Sequence, residues 1–455
     1  MATSAVAGLT SAIRGRVVER GEDGYDDARV LFNAMIDKRP AAIAYCVDEQ
    51  DVAAAIGFGR ERGLRIAVRG GGHNGGGLGS VDDGLVIDLS AMSEIAVDTA
   101  AKMVRVQGGA LLKNVDAATH AHGLAVPVGI IGTTGVGGLT LGGGTGHLTR
   151  TYGLTIDHLV SATVVLADGT VVQVDADREP DLFWAIRGGG GNFGVVTSFS
   201  FSCVPVTNVV AGPMWWPIDR SEEILAWYRD FIGEQPNELG GFFNYHTVPP
   251  VDMFPAEFHM QKVCGVVWCC TDLDNAAELL APARALSPII DGVGEVPLPA
   301  INGAFDGLYC HGDQWYWRSH YLDEISDDLV AVQTEWAERM PTWKSGTHIY
   351  NADGAAAKVG NDETAWAYRD ARWVQVIIGV DPDPATASAL REWTVGYSEA
   401  VKPHAMAGGY VNMMMDDGAD RVRASYRDNY PRLARVKRAY DPDNVFNVNQ
   451  NITPA

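Results

Sequence analysis

The chain has 455 residues, 47% of them hydrophobic, enough for two domains with buried cores of their own. Its formal net charge is −22 and its pI is near 4.8, which excludes DNA, RNA and anionic membranes as partners, since all three demand a basic face. No stretch approaches the roughly 18 apolar residues of a membrane span, and no basic leader precedes the mildly apolar residues 1–17, so a cytoplasmic protein is expected.

In chain order, residues 43–46 predict a strand. Asp48 then caps a helix running to about residue 62, its acidic first turn suited to the positive helix end. The apolar run ending at Arg69 predicts a strand that feeds Gly70-Gly71-Gly72-His73-Asn74, and a further strand covers residues 84–89. Residues 95–97 and 103–106 form a strand pair, and residues 111–122 an amphipathic helix stopped by Gly123. Residues 160–174 predict a hairpin turning at Asp168-Gly169. A helix through Leu182-Phe183-Trp184 leads to a third glycine run, and residues 194–201 alternate as a strand. After Val206 the glycine clusters vanish and Trp, Tyr and Met become frequent. Tyr410-Val411-Asn412 is expected to be a strand entering the tail, and residues 430–439 a basic helix. The expected division is a cofactor-binding domain over 1–206, a substrate-binding domain over 207–412, and a C-terminal segment, 413–455, that returns to the first.

Three glycine-rich stretches, 70–79, 135–146 and 188–194, dominate the first part. Glycines let main-chain N–H groups converge on an anion such as a pyrophosphate, and three such loops point to one large, multiply charged cofactor with His73 in reach of it. The G-x-G-x-x-G spacing at Gly70, Gly72 and Gly75 needs a helix beginning at the loop to be a nicotinamide site, and more glycines and two aspartates follow instead. At Gly189, Gly191 and Gly194 a helix precedes and a strand follows, the inverse order. No phosphate-binding G-x-x-x-x-G-K-[ST], no G-x-S-x-G and no H-E-x-x-H occurs. The six cysteines have neither disulfide-framework nor zinc-knuckle spacing, and no metal is expected.

Arg69-Gly70-Gly71-Gly72-His73-Asn74, residues 135–146, Arg187-Gly188-Gly189-Gly190-Gly191-Asn192-Phe193-Gly194 and the tail from Tyr440-Asp441-Pro442 to Asn449-Gln450-Asn451 occur in that order. Together they resemble the berberine-bridge-enzyme-like FAD-linked oxidases of the vanillyl-alcohol-oxidase superfamily. The resemblance implies an α+β, two-domain PCMH-type FAD-binding fold with an inserted antiparallel-sheet substrate domain. It also implies FAD bound covalently through one bond from His73 to the flavin 8α-methyl. Many relatives add a second tether through a cysteine where Ile131 stands here, and no cysteine lies between Cys46 and Cys203, so a single bond is expected. The implied FAD site comprises Arg69, Gly70, Gly71, Gly72, His73, Asn74 and Leu78; Thr133, Thr134, Gly135, Gly138, Leu139, Thr140, Gly143, Gly144 and Gly146; Asp157; Gly194, Val195 and Val196; Tyr410; and Asn447 with Asn449.

The resemblance implies oxidation of a small alcohol, sugar or secondary metabolite by hydride transfer to flavin N5, with O2 as acceptor. Thr134 stands where relatives control oxygen approach, and Thr145 where an aromatic side chain is usual. His147 and His158 are expected to be supporting or core histidines. A group must take the hydroxyl proton, and the resemblance puts Tyr410 over the flavin. A tyrosine of ordinary pKa near 10 needs a cation beside it to act as a base, for which Arg318, Lys344 and Arg369 are available. Residues 316–321 and 347–351 would suit pocket walls. His348 and Tyr350 share one strand face, and Tyr316 and Arg318 share another. The expected catalytic set is Tyr410, Arg318 and Tyr350. A dehydrogenase with another acceptor, or a flavin-binding protein without turnover, remains open from sequence.

Overall fold

A computed structural model describes residues 6–455 and contains three sheets. The first joins β1 (Arg16–Glu19), β2 (Ala42–Tyr45), β3 (Ile66–Arg69) and β4 (Leu85–Asp88) in the order β1-β2-β4-β3. β4 pairs in parallel with both β2 and β3. It is buried along its whole length, which is why Leu85-Val86-Ile87 is an unbroken apolar run. Helix Glu49–Glu61 covers this sheet, and Asp48 caps it as expected by accepting the Asp51 N–H at 2.9 Å.

The second sheet is antiparallel: β5 (Ile95–Asp98), β6 (Met103–Gln107), β7 (Leu159–Val165), β8 (Val171–Asp175) and β9 (Val195–Ser202), in the order β5-β6-β9-β7-β8. The β7–β8 hairpin turns at Gly169, whose φ of +85° suits glycine. Helix Pro180–Ile186 precedes the third glycine stretch and β9 follows it, as the sequence predicts.

The third sheet holds β10 (Asn208–Pro217), β11 (Leu239–Thr247), β12 (Lys262–Cys270), β13 (Ile290–Asp291), β14 (Gly294–Pro297), β15 (Gln314–Leu322), β16 (Gly346–Asn351) and β17 (Trp373–Asp381). Its main path is β13-β10-β12-β11-β16-β17-β15, with antiparallel neighbours throughout. Strand alternation splits its two faces. Phe243, Tyr245, Ile349 and Ile377 pack under helices Ser221–Gly233, Asp327–Glu338 and Ala387–Val401. Phe242, Trp315, Trp317, Tyr350, Val376 and Ile378 pack on the other face, in one cluster with Tyr410. Cys264, Cys269 and Cys270 are buried on β12, as core residues should be.

Two expectations fail locally. Residues 410–412 are not a strand: Val411–Met413 is a single 3₁₀ turn preceded by Tyr410. Long-range hydrogen bonds dictate this geometry, from Ser319 Oγ to the Tyr410 carbonyl (3.2 Å) and from Gly409 N–H to Ser425 Oγ (3.0 Å). The second glycine stretch is not all loop either, because Val136–Leu141 forms a short helix. Among the described residues, no helix is long and apolar enough to cross a membrane.

The tail is pinned to the third glycine stretch by a buried cation. Lys437 Nζ pairs with Asp441 at 2.6 Å and also donates to the carbonyls of Asn192 and Phe446. Asn192 Oδ1 accepts the Ile452 N–H, and Asn449 Nδ2 donates to Gly191 O.

A second buried polar pair joins helix Leu112–His120 to helix Leu298–Asn302. Asn302 Nδ2 donates to Asp116 Oδ2 at 3.1 Å, while Asn302 Oδ1 is buried without a partner. Burial pushes the Asp116 carboxyl up to about 7, with Asp306 adding to the shift. Between the ordinary carboxyl range and about pH 7 the folded chain therefore binds the extra proton, and this group's contribution to stability falls as pH rises through that window. Asp116→Asn supplies the missing donor to Asn302 Oδ1 without a charge. Its melting temperature is expected to exceed that of the wild type at pH 8 by several degrees and to match it at pH 5. Equal increments at both pH values, measured by thermal unfolding, would exclude the carboxyl as the cause.

Candidate active site

The three glycine stretches converge on a cavity of about 320 Å³ that extends to the inner face of the third sheet. Gly71 and Gly135 meet main chain to main chain. A Cβ on Gly71 would lie 2.3 Å from Gly135 N, and a Cβ on Gly135 would lie 2.3 Å from Gly71 N. Gly138 has open space where a side chain would project. The main-chain N–H groups of Gly71, Gly72, His73 and Asn74 donate to no atom among the described residues. Main-chain donors left without partners in a half-buried cleft invite an acceptor, and a ligand oxygen is the expected one. An unpaired buried acceptor, Asn449 Oδ1, belongs to a residue that lines the same cavity, while Thr140 Oγ1 is unpaired behind it. These features fit a long anionic dinucleotide such as FAD.

His73 is fixed at the edge of this cradle. Its ring stacks on Phe32 with centroids 3.9 Å apart; Nε2 lies 2.9 Å from Thr133 Oγ1 and Nδ1 lies 3.3 Å from Thr134 Oγ1. Thr134 lines the cavity and Thr133 does not, so Nδ1 is the nitrogen on the cavity side. Burial, helped by His311, pushes the imidazole down to about 3, leaving it neutral with a lone pair on one ring nitrogen.

Arg69, Gly70, Asn74, Leu78, Gly135, Leu139, Gly194, Val195, Val196 and Asn449 also line the cavity. Arg69 is held by Asp88 and by the Ala28 carbonyl. The other expected cofactor residues lie behind this wall. Gly144 and Gly146 are packing positions, where a Cβ would meet Thr155 Oγ1 at 2.1 Å and Val128 O at 1.8 Å, and neighbouring Gly143 has a φ of +131°. Asp157 accepts both Arg369 guanidinium nitrogens and the Leu154 N–H. Asn447 donates to Asn444 O.

Tyr410 is fully buried at the far side of the cavity. Its Oη accepts the Gly144 N–H at 2.9 Å and Asn412 Nδ2 at 3.0 Å. Gly144 can present its N–H this way because its φ is +82°. Among the described residues, no cation is bonded to the phenol. Arg318 lies on the opposite face of β15, with Tyr316, Asp416 and Asp417. Lys344 is paired with Asp313, and Arg369 with Asp157. Burial raises the Tyr410 phenol above its ordinary value, and hydrogen bonds from Gly144, Asn412 and Thr145 pull it part of the way back. The phenol keeps its proton, and that proton is the one donor Tyr410 offers. The expectation of a cation-activated Tyr410 base with Arg318 beside it does not match this geometry.

Tyr350 and His348 do face the cavity, with Tyr309, Trp315 and Trp317. Strand alternation put Tyr350 with His348 correctly but did not reveal His246. His348 Nδ1 lies 2.7 Å from Tyr350 Oη, and His348 Nε2 lies 2.7 Å from His246 Nε2 on β11. His147 is buried against Phe242 as a core histidine, whereas His158 holds the Tyr152 carbonyl.

Comparisons with known proteins agree with this geometry. Residues 40–175 match the FAD binding domain family, and residues 409–453 match the berberine and berberine-like family. The chain is 32% identical to the FAD-linked oxidoreductase YgaK of Bacillus subtilis, over 97% of each chain. The 6-hydroxy-D-nicotine oxidase of Arthrobacter nicotinovorans superposes with a TM-score of 0.88 at 26% identity, over 99% of each chain. Glucooligosaccharide oxidase from Acremonium strictum, which carries a 6-S-cysteinyl, 8α-N1-histidyl FAD, superposes at 0.86 with 26% identity over both full lengths. The chain is therefore an FAD-linked oxidoreductase with a PCMH-type fold and belongs to the berberine-bridge-enzyme-like family.

Proposed function

We propose that this protein is an oxidase that holds FAD by one covalent bond to His73 Nδ1 and oxidises a small uncharged alcohol, sugar or hydroxylated metabolite, with O2 as acceptor. The observation that carries the reading is a neutral, doubly hydrogen-bonded His73 at one edge of a cavity whose other wall presents two buried phenols, Tyr410 and Tyr350. Residues 1–206 with 413–455 would hold FAD, and 207–412 the substrate, because the glycine cradle falls in the first set and the aromatic wall in the second. Ile131, which lines the cavity, offers no sulfur for a second bond.

Once bound, FAD supplies the hydride acceptor at N5 and the electron path to O2. Among the described residues Arg69, neutralised by Asp88, is the only Lys, Arg, Asp or Glu lining the cavity, so an uncharged substrate fits and a cationic amine does not. With both lone pairs of its oxygen engaged, Tyr410 donates its hydroxyl proton to the reacting oxygen and holds it in place. Thr134 beside His73 is small enough to leave that flank open to O2.

Anaerobic mixing with uncharged sugars and benzylic alcohols is expected to bleach the flavin, and air to restore its colour within seconds. 6-Hydroxynicotine, a cation at neutral pH, is expected to leave it oxidised. If none of the uncharged compounds bleaches it, or if reoxidation is sluggish, the reading fails. Tyr410→Phe removes one preorganised donor, which costs about 10²-fold in the reduction rate, with a smaller change in substrate affinity. An unchanged rate in stopped-flow reduction removes Tyr410 from the chemistry.

A further inference from the structure

Resting on the reading that an alcohol is oxidised here, we propose that Tyr350, His348 and His246 form a proton relay that carries the substrate hydroxyl proton out of the cavity. The three groups are joined by two hydrogen bonds of 2.7 Å, Tyr350 Oη to His348 Nδ1 and His348 Nε2 to His246 Nε2. Tyr350 and His348 line the cavity and His246 stands behind them. All three are buried, at 8%, 1% and 2% exposure, so water reaches the chain only at its margins.

The surroundings keep both imidazoles neutral. Phe242, Phe305, Tyr309 and Tyr350 face His348, while Phe305 and Tyr309 face His246. The remaining titratable neighbour is His147, and among the described residues no carboxylate or fixed cation acts on either ring. Burial pushes His246 down to about 4 and His348 further below its ordinary value. A neutral imidazole has one donor and one acceptor, which is what a relay member requires at rest; an imidazole charged before the alcohol reacts has no acceptor to offer.

In the alcohol-bound state Tyr350 donates to His348 Nδ1, and His348 Nε2–H donates to His246 Nε2. Tyr350 Oη is then the acceptor for the substrate O–H. As the substrate C–H leaves with its electron pair as hydride to bound FAD, the substrate O–H bond breaks and its proton binds Tyr350 Oη. The Tyr350 proton passes to His348 Nδ1, and the His348 Nε2 proton passes to His246 Nε2. His246, briefly doubly protonated, releases its Nδ1 proton to a water molecule, which carries it away as hydronium. Both tautomers are now reversed, and Tyr350 donates to the new carbonyl oxygen. One chain thus accepts from an alcohol and donates to a carbonyl. Tyr410 serves the same oxygen from the other side.

His246 touches no substrate, which makes it the informative position. His246→Gln retains a side chain able to hydrogen-bond His348 but unable to pass a proton on. In holoenzyme labelled with 15N-histidine, His246 and His348 are expected to stay neutral from pH 8 to pH 5 and to share one low-field N–H···N proton, lost in His246→Gln. With whichever sugar or benzylic alcohol bleaches the flavin, the wild-type reduction rate is expected to show a curved dependence on the deuterium fraction of the solvent. His246→Gln should then reduce about 10²-fold more slowly, with unchanged substrate affinity, FAD content and melting temperature, and with a linear dependence. Tyr350→Phe should match it in rate. Independent titration of the two imidazoles near their ordinary value, or reduction of His246→Gln at the wild-type rate, overturns the relay. If no compound bleaches the flavin, the proposed oxidation fails and the relay falls with it; if the flavin is bleached but the imidazole spectra show uncoupled rings, the relay alone is overturned.

Discussion

Acid-precipitated wild-type protein is expected to keep its yellow colour, whereas His73→Ala should release all of its FAD into the supernatant. The bond depends on a neutral imidazole with Nδ1 turned to the Thr134 side, and two contacts and burial set that state. Phe32 fixes the ring plane at 3.9 Å, Thr133 holds Nε2 at 2.9 Å, and burial keeps the ring uncharged. An imidazole of ordinary pKa near 6.5 loses nucleophilicity below that pH. With His73 pushed down to about 3, the rate of covalent attachment to reconstituted apoprotein is expected to be flat from pH 8 down to pH 5. Thr133→Val frees Nε2 and should slow attachment without abolishing it. A colourless wild-type pellet, or an attachment rate that falls tenfold between pH 7 and pH 5, contradicts the assignment.

The glycine cradle and the elements around it are legible because they are local. Asp48 announces a helix start through one side chain, Gly169 a hairpin through one φ, and the order helix, glycines, strand at 180–202 excludes a nicotinamide site from sequence alone. What escapes is decided at a distance. Alternation on β15 pairs Tyr316 with Arg318 and Trp315 with Trp317, yet nothing within the strand says which pair faces the cavity. Docking of the helices settles it, and Arg318 ends among Asp416 and Asp417. Tyr410 was expected in a strand because its neighbours suit one, and its actual turn is imposed by Gly144, Ser319 and Ser425. His246 gives no signal because its partner lies 102 residues on in the chain. Lys437 sits in a helix that is basic by composition, yet a charged partner four residues on and two carbonyls hold it wholly buried.

Substitution in the cradle should separate two functions of glycine, close packing and ligand approach. Gly71→Ala places a methyl 2.3 Å from Gly135 N and 2.8 Å from Gly135 Cα. These are main-chain atoms that cannot rotate away, so the two loops must part, at a cost of about 1–3 kcal/mol for overpacking. The separation moves Thr134, and with it the alignment of His73 Nδ1. Gly71→Ala is expected to lower the melting temperature of the apoprotein by several degrees and to take up little FAD. Gly138→Ala differs, because nothing lies within 4 Å of its added Cβ and the residue sits inside helix Val136–Leu141. Replacing a helical glycine by alanine stabilises by about 0.5–1 kcal/mol, so its apoprotein should melt at or above the wild-type temperature. The new methyl nevertheless projects where Gly138 lines the cavity, and FAD content should fall sharply all the same. Gly57→Ala, also in a helix with open space around it, is the control and should load fully. A Gly138→Ala protein that melts like the wild type and binds a full equivalent of FAD would show that the dinucleotide does not run over this helix, and the cradle would have to be placed elsewhere.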